Sequence, residues 1–133
     1  KPEFIELELT ENVLVDKSAD IIDILSELKE MGIQISIDDF GTGYSCLSYL
    51  KDLPINVLKI DQIFVKDLKN NQSNQTLIKA IIAMAKNFNL SLIAEGIQNK
   101  HELVFLQNLG CHYGQGYYFY HPMPPEKCTQ FLQ

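Results

Sequence analysis

Short apolar runs that alternate every second residue recur along this chain, each followed by a longer stretch whose apolar residues return every three or four positions. The first pattern belongs to strands and the second to amphipathic helices. Phe4 to Leu9 reads as a strand, followed by a helix over Ala19 to Met31 with Ser18 as its cap, Ile21, Ile24, Leu25 and Leu28 on one face and Gly32 as its stop. Ile33, Ile35 and Ile37 alternate with Gln34 and Ser36 as the second strand, and Cys46 to Asp52 is a short helix stopped before Pro54. Val57 to Ile60 is a third strand. Ser73 is expected to cap the longest helix, to about Phe88, with Leu77, Ile78, Ile81, Ala85 and Phe88 facing inward. Ser91 to Ala94 is a fourth strand. Asn99 and Glu102 resemble a capping box for a helix ending at Leu109 before Gly110. Cys111 to Gln115 is a fifth strand, and Pro125 opens a last helix through Leu132. Asn70 to Asn74, polar and full of turn formers, is expected to be a mobile loop. Strands alternating with helices in this way mean βαβ units around a parallel sheet.

The ends of those strands carry the chemistry. Glu8, the pair Asp38 and Asp39, Lys59, Glu95 and Gln115 each stand at or near the C-terminal end of a different expected strand. In a parallel α/β sheet or barrel those ends open on one face, where ligands bind. Adjacent aspartates raise each other's pKa, and a divalent cation removes the conflict. Oxygen-only ligands suit Mg²⁺ or Mn²⁺ rather than zinc. Four carboxylates and one amine would repel an anionic substrate unless metal ions turned the charge, which is how two-metal sites handle phosphate diesters. Lys59, flanked by Leu58 and Ile60, would be a costly buried charge without such partners. The bland alternative for Asp39 is a turn start ahead of Gly41 and Gly43, for Glu11 a surface charge, and for Asp61 a turn cap, with a polar role at the site rim also open. His101, His112 and His121 have no metal-like spacing, and Met31, Met84 and Met123 read as core fillers or loop positions.

Composition narrows the function classes. With 133 residues, 46% hydrophobic, the chain can bury a core as one globular domain. Its net charge of −6 and lack of Lys/Arg runs argue against DNA or RNA polymers as partners. No apolar stretch approaches the roughly 18 residues of a membrane span, so no membrane contact is expected and the reading is soluble and cytoplasmic. Cys46, Cys111 and Cys128 are odd in number and scattered, which favours reduced thiols. The first residue is Lys1, without an initiator Met, so the chain is expected to be part of a longer polypeptide, itself membrane-anchored in some other domain or not.

Five segments carry a resemblance to a known family: ELTE at Glu8 to Glu11, DDFGTGYSCL at Asp38 to Leu47, LKID at Leu58 to Asp61, AEGIQ at Ala94 to Gln98, and QGYYF with Pro122 at Gln115 to Pro122. Residues 1–133 resemble the C-terminal part of a single EAL domain, the bacterial phosphodiesterase family specific for the second messenger cyclic di-GMP. The resemblance implies a TIM-like (β/α) barrel, here an incomplete C-terminal portion with about five parallel strands. It implies metal-dependent hydrolysis of cyclic di-GMP to linear pGpG, with two Mg²⁺ or Mn²⁺ ions per complete site. By the same resemblance Glu8 and Asp38 are ligands of the first metal, with Asp38 bridging to the second. Asp39 is a second-metal ligand, and Glu95 is general base or part of the second metal site. Lys59 lies near the attacking water, and Gln115 supports the site. Phe40, Gly41, Thr42, Gly43, Tyr44 and Ser45 belong to a mobile loop running to Ser48, which Glu11 anchors and which takes part in homodimer contacts. Tyr117 and the aromatics to Tyr120 would line the guanine pocket.

The chain departs from the family pattern in three places. The Glu-Ala-Leu motif and an asparagine ligand before ELTE are absent, Gln98 replaces a usual glutamate, and Cys46 a usual serine. A complete barrel takes roughly 250 residues, so this portion is expected to be inactive alone and to leave sheet edges open for pairing with a second copy. Two other classes fit the residues less well. A degenerate, non-catalytic cyclic di-GMP receptor or scaffold would need decay among the ligands, and the covered positions are intact. A phospho-accepting receiver domain would carry its acidic pair on the first strand, which this chain does not.

Overall fold

The computed structural model describes residues 1–11, 19–42 and 50–131. A single 3₁₀ turn, Pro2–Phe4, leads into strand β1, Glu6–Thr10. Helix α1 spans Ala19–Glu30, β2 Gln34–Phe40, β3 Val57–Ile60, α2 Gln62–Val65, α3 Gln72–Asn87, β4 Ser91–Ala94, α4 Lys100–Leu109, β5 Tyr113–Gly114 and α5 Pro125–Thr129. The five strands form one parallel sheet in the order β1-β2-β3-β4-β5. Right-handed crossovers between strands laid down in sequential order put every connecting helix on the same side, as in a barrel. A doubly wound sheet reverses direction and takes helices on both sides.

The register shows the consequence for side chains. Leu7 pairs with Ile35, Ile37 with Leu58, and Leu58 with Leu92, so these apolar residues line one face. That face meets Leu25 of α1, Ile78, Ile81, Ile82 and Ala85 of α3, and Leu106 of α4 in the buried core. Glu8, Ser36, Val57 and Ser91 follow one another in register on the other face. The sheet is therefore apolar toward the helices and polar on the side a barrel would enclose.

Several expected elements shift for identifiable reasons. On α1, Ile24 is 55% exposed, because it lies at the edge of the apolar stripe, about 100° around the helix from the buried Leu25. On α3, Ile82 is buried while Leu77 and Phe88 stay partly exposed. That helix is capped by Asn71, whose side chain accepts from the Asn74 amide at 3.0 Å, and not by Ser73. Asn71 to Asn74 therefore form a helix start rather than a loop. The capping pair of α4 is present: Glu102 N donates to Asn99 Oδ1 at 3.1 Å, and Glu102 Oε2 accepts from the Gln98 amide at 2.8 Å. The strand expected over Cys111 to Gln115 is only two residues long. Ser18, Leu132 and most of the helix expected over Cys46 to Asp52 lie outside the described residues. Among the described residues no helix is long and apolar enough to cross a membrane.

Candidate active site

A regular strand would send Asp38 and Asp39 to opposite faces. Here β2 and β3 lose register between Ile37, which pairs with Leu58, and Phe40, which pairs with Ile60. Three steps on β2 thus match two on β3, so one extra residue bulges from the strand. Asp39 takes up the bulge with φ 53°, in the left-handed region that short polar side chains tolerate best. Both carboxylates consequently reach the same place. Asp38, Asp39 and Glu95, the last just past the end of β4, each present an oxygen within 4.8 Å of the other two.

Lys59 lies beside them, only 5% exposed. Its Nζ donates to Glu8 Oε1 at 2.5 Å, approaches Glu95 Oε1 at 3.0 Å and lies 3.9 Å from Asp38 Oδ1. Burial alone would lower its pKa, but the hydrogen bonds to Glu8 and Glu95 and the charges of Glu95 and Asp38 outweigh that and hold it above its ordinary value. The amine is a fixed cation. Glu95 Oε1 also accepts from Gln115 Nε2 at 2.9 Å, so two donors orient one carboxylate oxygen. The hydrogen bond with Asp61, burial, and the negative charges of Asp38, Asp61 and Glu95 push Asp39 up to about 6.

The other expected site residues divide. Glu11 is buried and its Oε2 accepts from the Gly41 amide at 3.1 Å. Phe40 is in the core, and Thr42 Oγ1 donates to the Asp39 carbonyl at 2.8 Å. Glu8 joins Lys59 but not the three-carboxylate group. Gly43, Tyr44, Ser45 and Cys46 lie outside the described residues. Tyr117 lines a cavity of about 680 Å³ that also touches Glu95 and Gln115, and its ring lies 4.2 Å from that of His121.

Asp61 caps the turn after its strand as expected, accepting from the Ile63 amide at 2.6 Å, and also sits against Asp39, at the rim position left open for it. Gln62, Gly96 and His121 line the same cavity, and no periodicity marks them.

The donor set suits a hard divalent cation. All three convergent groups are carboxylates, and a cation among them would offset the negative charges of Asp38, Asp61 and Glu95 that add to the Asp61 hydrogen bond and burial in raising Asp39.

Comparison with known proteins bears on the same residues. A family model described as EAL domain matches residues 1–122. The chain belongs to the EAL domain family. It is 42% identical over 130 residues to the cyclic di-GMP phosphodiesterase NbdA of Pseudomonas aeruginosa, covering 98% of this chain and 17% of NbdA. The solved c-di-GMP complex of the MucR phosphodiesterase, from the same organism, superposes with a TM-score of 0.90 at 41% identity, over 96% of this chain and 51% of the solved MucR chain. A manganese and c-di-GMP complex of Klebsiella pneumoniae BlrP1 gives 0.84 at 28% identity, over 92% of this chain and 31% of the solved BlrP1 chain. The chain thus spans less than a quarter of the NbdA sequence and about half of the solved MucR chain, and its five parallel strands are a portion of an EAL barrel.

Proposed function

We propose that residues 1–133 form the C-terminal part of a single EAL domain and that the protein carrying it hydrolyses cyclic di-GMP to linear pGpG. The observation that carries this reading is the convergence of Asp38, Asp39 and Glu95 around a buried, cationic Lys59. The names of NbdA and of the MucR complex supply the substrate class.

Asp38, Asp39 and Glu95 would hold Mg²⁺ or Mn²⁺, with Glu8 joining from β1 and a second ion completed by residues of the remaining barrel. When bound, such ions supply Lewis-acid charge that offsets the negative charge developing on the phosphate. The rest falls to side chains of this chain. Lys59 Nζ, kept protonated by its carboxylate neighbours, holds the phosphate or the water beside it. Glu95 Oε1, oriented by Lys59 and Gln115, takes the proton of that water. The water oxygen bonds to phosphorus, the P–O3′ bond breaks, and the 3′ oxygen takes up a proton from solvent, while Glu95 returns to solvent the one it accepted. Glu11 keeps the segment after Asp39 in place through the Gly41 amide. Tyr117 offers a ring at the cavity wall for the guanine base. Dimerisation through that segment, or through the sheet edges, and a cytoplasmic location belong to the same proposal.

The test is hydrolysis of cyclic di-GMP, with Mg²⁺ or Mn²⁺, by the protein that carries this sequence and by residues 1–133 alone. Linear product is expected from the longer protein, falling roughly 10²–10⁴-fold in Glu95→Ala, with little or none from residues 1–133. A metal-loaded protein that binds the nucleotide and forms no product would leave a receptor in place of an enzyme.

A further inference from the structure

The one-turn helix α2 lies between the two loops that carry the carboxylates, and it touches both. A Cβ at Gly41, two residues past Asp39, would lie 2.8 Å from Cε2 and 3.3 Å from Cζ of Phe64. A Cβ at Gly96, next to Glu95, would collide with the Cβ of Gln62. Both glycines have positive φ, 99° and 69°, and both let backbone close onto α2 where a side chain would hold it off. The turn starts at Asp61, which caps it through the Ile63 amide and hydrogen-bonds the Asp39 carboxyl. Three of the four residues 61–64 therefore reach the acidic site: Asp61 to Asp39, Gln62 to Gly96, and Phe64 to Gly41. Only Ile63 faces away, 62% exposed.

We infer that α2 is a wedge that sets the separation of Asp39 and Glu95, and that Phe64 is a positioning residue for the cation centre. Asp39 sits in a bulge with a left-handed backbone, a conformation that persists only where the surroundings impose it. The Asp39 loop leaves β2 and the Glu95 loop leaves β4, with β3 between them, so no ladder hydrogen bonds join the two directly. Strand β3 lies between them, pairing Ile60 with Phe40 and accepting at the Ile60 carbonyl from the Glu95 amide at 3.0 Å, and the turn that follows it touches both loops again. A centre with oxygen ligands loses affinity when its ligands drift from the spacing the ion requires. The inference rests on the proposed metal centre and names what in this chain holds its geometry.

The experiment is Mn²⁺ titration of the protein that carries this sequence, read as loss of the free-ion electron paramagnetic resonance signal, with thermal unfolding in EDTA run alongside. Phe64→Leu keeps the branch that packs on the core and removes the ring tip that meets Gly41. It should weaken Mn²⁺ binding roughly 3- to 10-fold while the metal-free chain still unfolds cooperatively. Phe64→Met, long enough to reach Gly41 again, should recover binding to within about twofold. Ile63→Ala, on the outward side of the same turn, should bind as the unaltered chain does. Unchanged Mn²⁺ binding in Phe64→Leu overturns the wedge. So does an equal loss in Phe64→Leu and Ile63→Ala, which would make the stability of the turn, and not its contact, the cause. Failure of the unaltered chain to take up Mn²⁺ would instead remove the metal centre on which the inference rests.

Discussion

At the scale of single residues, Asp39 is where geometry and charge conflict most. Its carboxyl is held at about 6 against an ordinary 3.8, first by the hydrogen bond with Asp61 and then by burial and the charges of Asp38, Asp61 and Glu95. The direction follows from linkage. Between pH 3.8 and 6 the folded chain holds a proton that the unfolded chain has lost, so this group favours folding most at low pH. That contribution disappears as pH rises through 6. In EDTA, the melting temperature of the unaltered chain should therefore fall between pH 4 and 7 relative to Asp39→Asn, which cannot titrate. Added Mg²⁺ should reverse the trend, because a cation takes the place of the proton. A constant difference between the two proteins across that range would mean that Asp39 does not carry the strain assigned to it. Much of this was legible in advance. Two adjacent aspartates and a lysine between Leu58 and Ile60 announce a charged cluster, since neither arrangement is stable without partners. What the sequence did not give up was the bulge. Alternation places Asp38 and Asp39 on opposite faces, and only the lost register beside β3 brings them together.

At the scale of elements, legibility followed length. Strands β3 and β4 and helix α4 fall where the apolar pattern places them, because their periodicity is strong and their flanks are turn formers. Strand β5 falls inside the stretch expected for it but keeps only two residues, and helix α2 is too short for any period to register. The start of α3 was misplaced for a different reason. Asn71 and Ser73 are both good caps, and the choice between them depends on which side chain meets a free amide. Asn71 does, through Asn74. Asn71→Ala should therefore destabilise the chain by about 0.5–2 kcal/mol, whereas Ser73→Ala, inside the first turn, should change stability by less than about 0.5 kcal/mol. Urea unfolding followed by circular dichroism separates the two. Equal effects would show that the cap had been placed on the wrong residue.

At the scale of the whole molecule, the pattern of alternating strands and helices fits both a barrel and a doubly wound sheet, and the family resemblance pointed to the barrel. Strand order decides in the same direction, for five strands in sequence order put the helices and the core on one face. The other face carries Glu8, Ser36, Lys59 and Ser91 in the register that a barrel interior would enclose. A one-sided core makes a one-sided prediction. Leu58 is fully buried against the helices, while Ile93, aligned with Lys59 on the opposite face, is only half-buried. Leu58→Ala should cost about 2–5 kcal/mol, from lost transfer energy and the cavity left behind. That is a large share of the roughly 5–15 kcal/mol that holds a domain of this size. Ile93→Ala removes a side chain that still meets water and should cost less than about half as much. Urea midpoints at two protein concentrations settle the matter. If Ile93→Ala proves as costly as Leu58→Ala, and the cost grows with concentration, the polar face is covered by a second copy. If the cost stays small at both, that face is open to solvent and the helices alone supply the core.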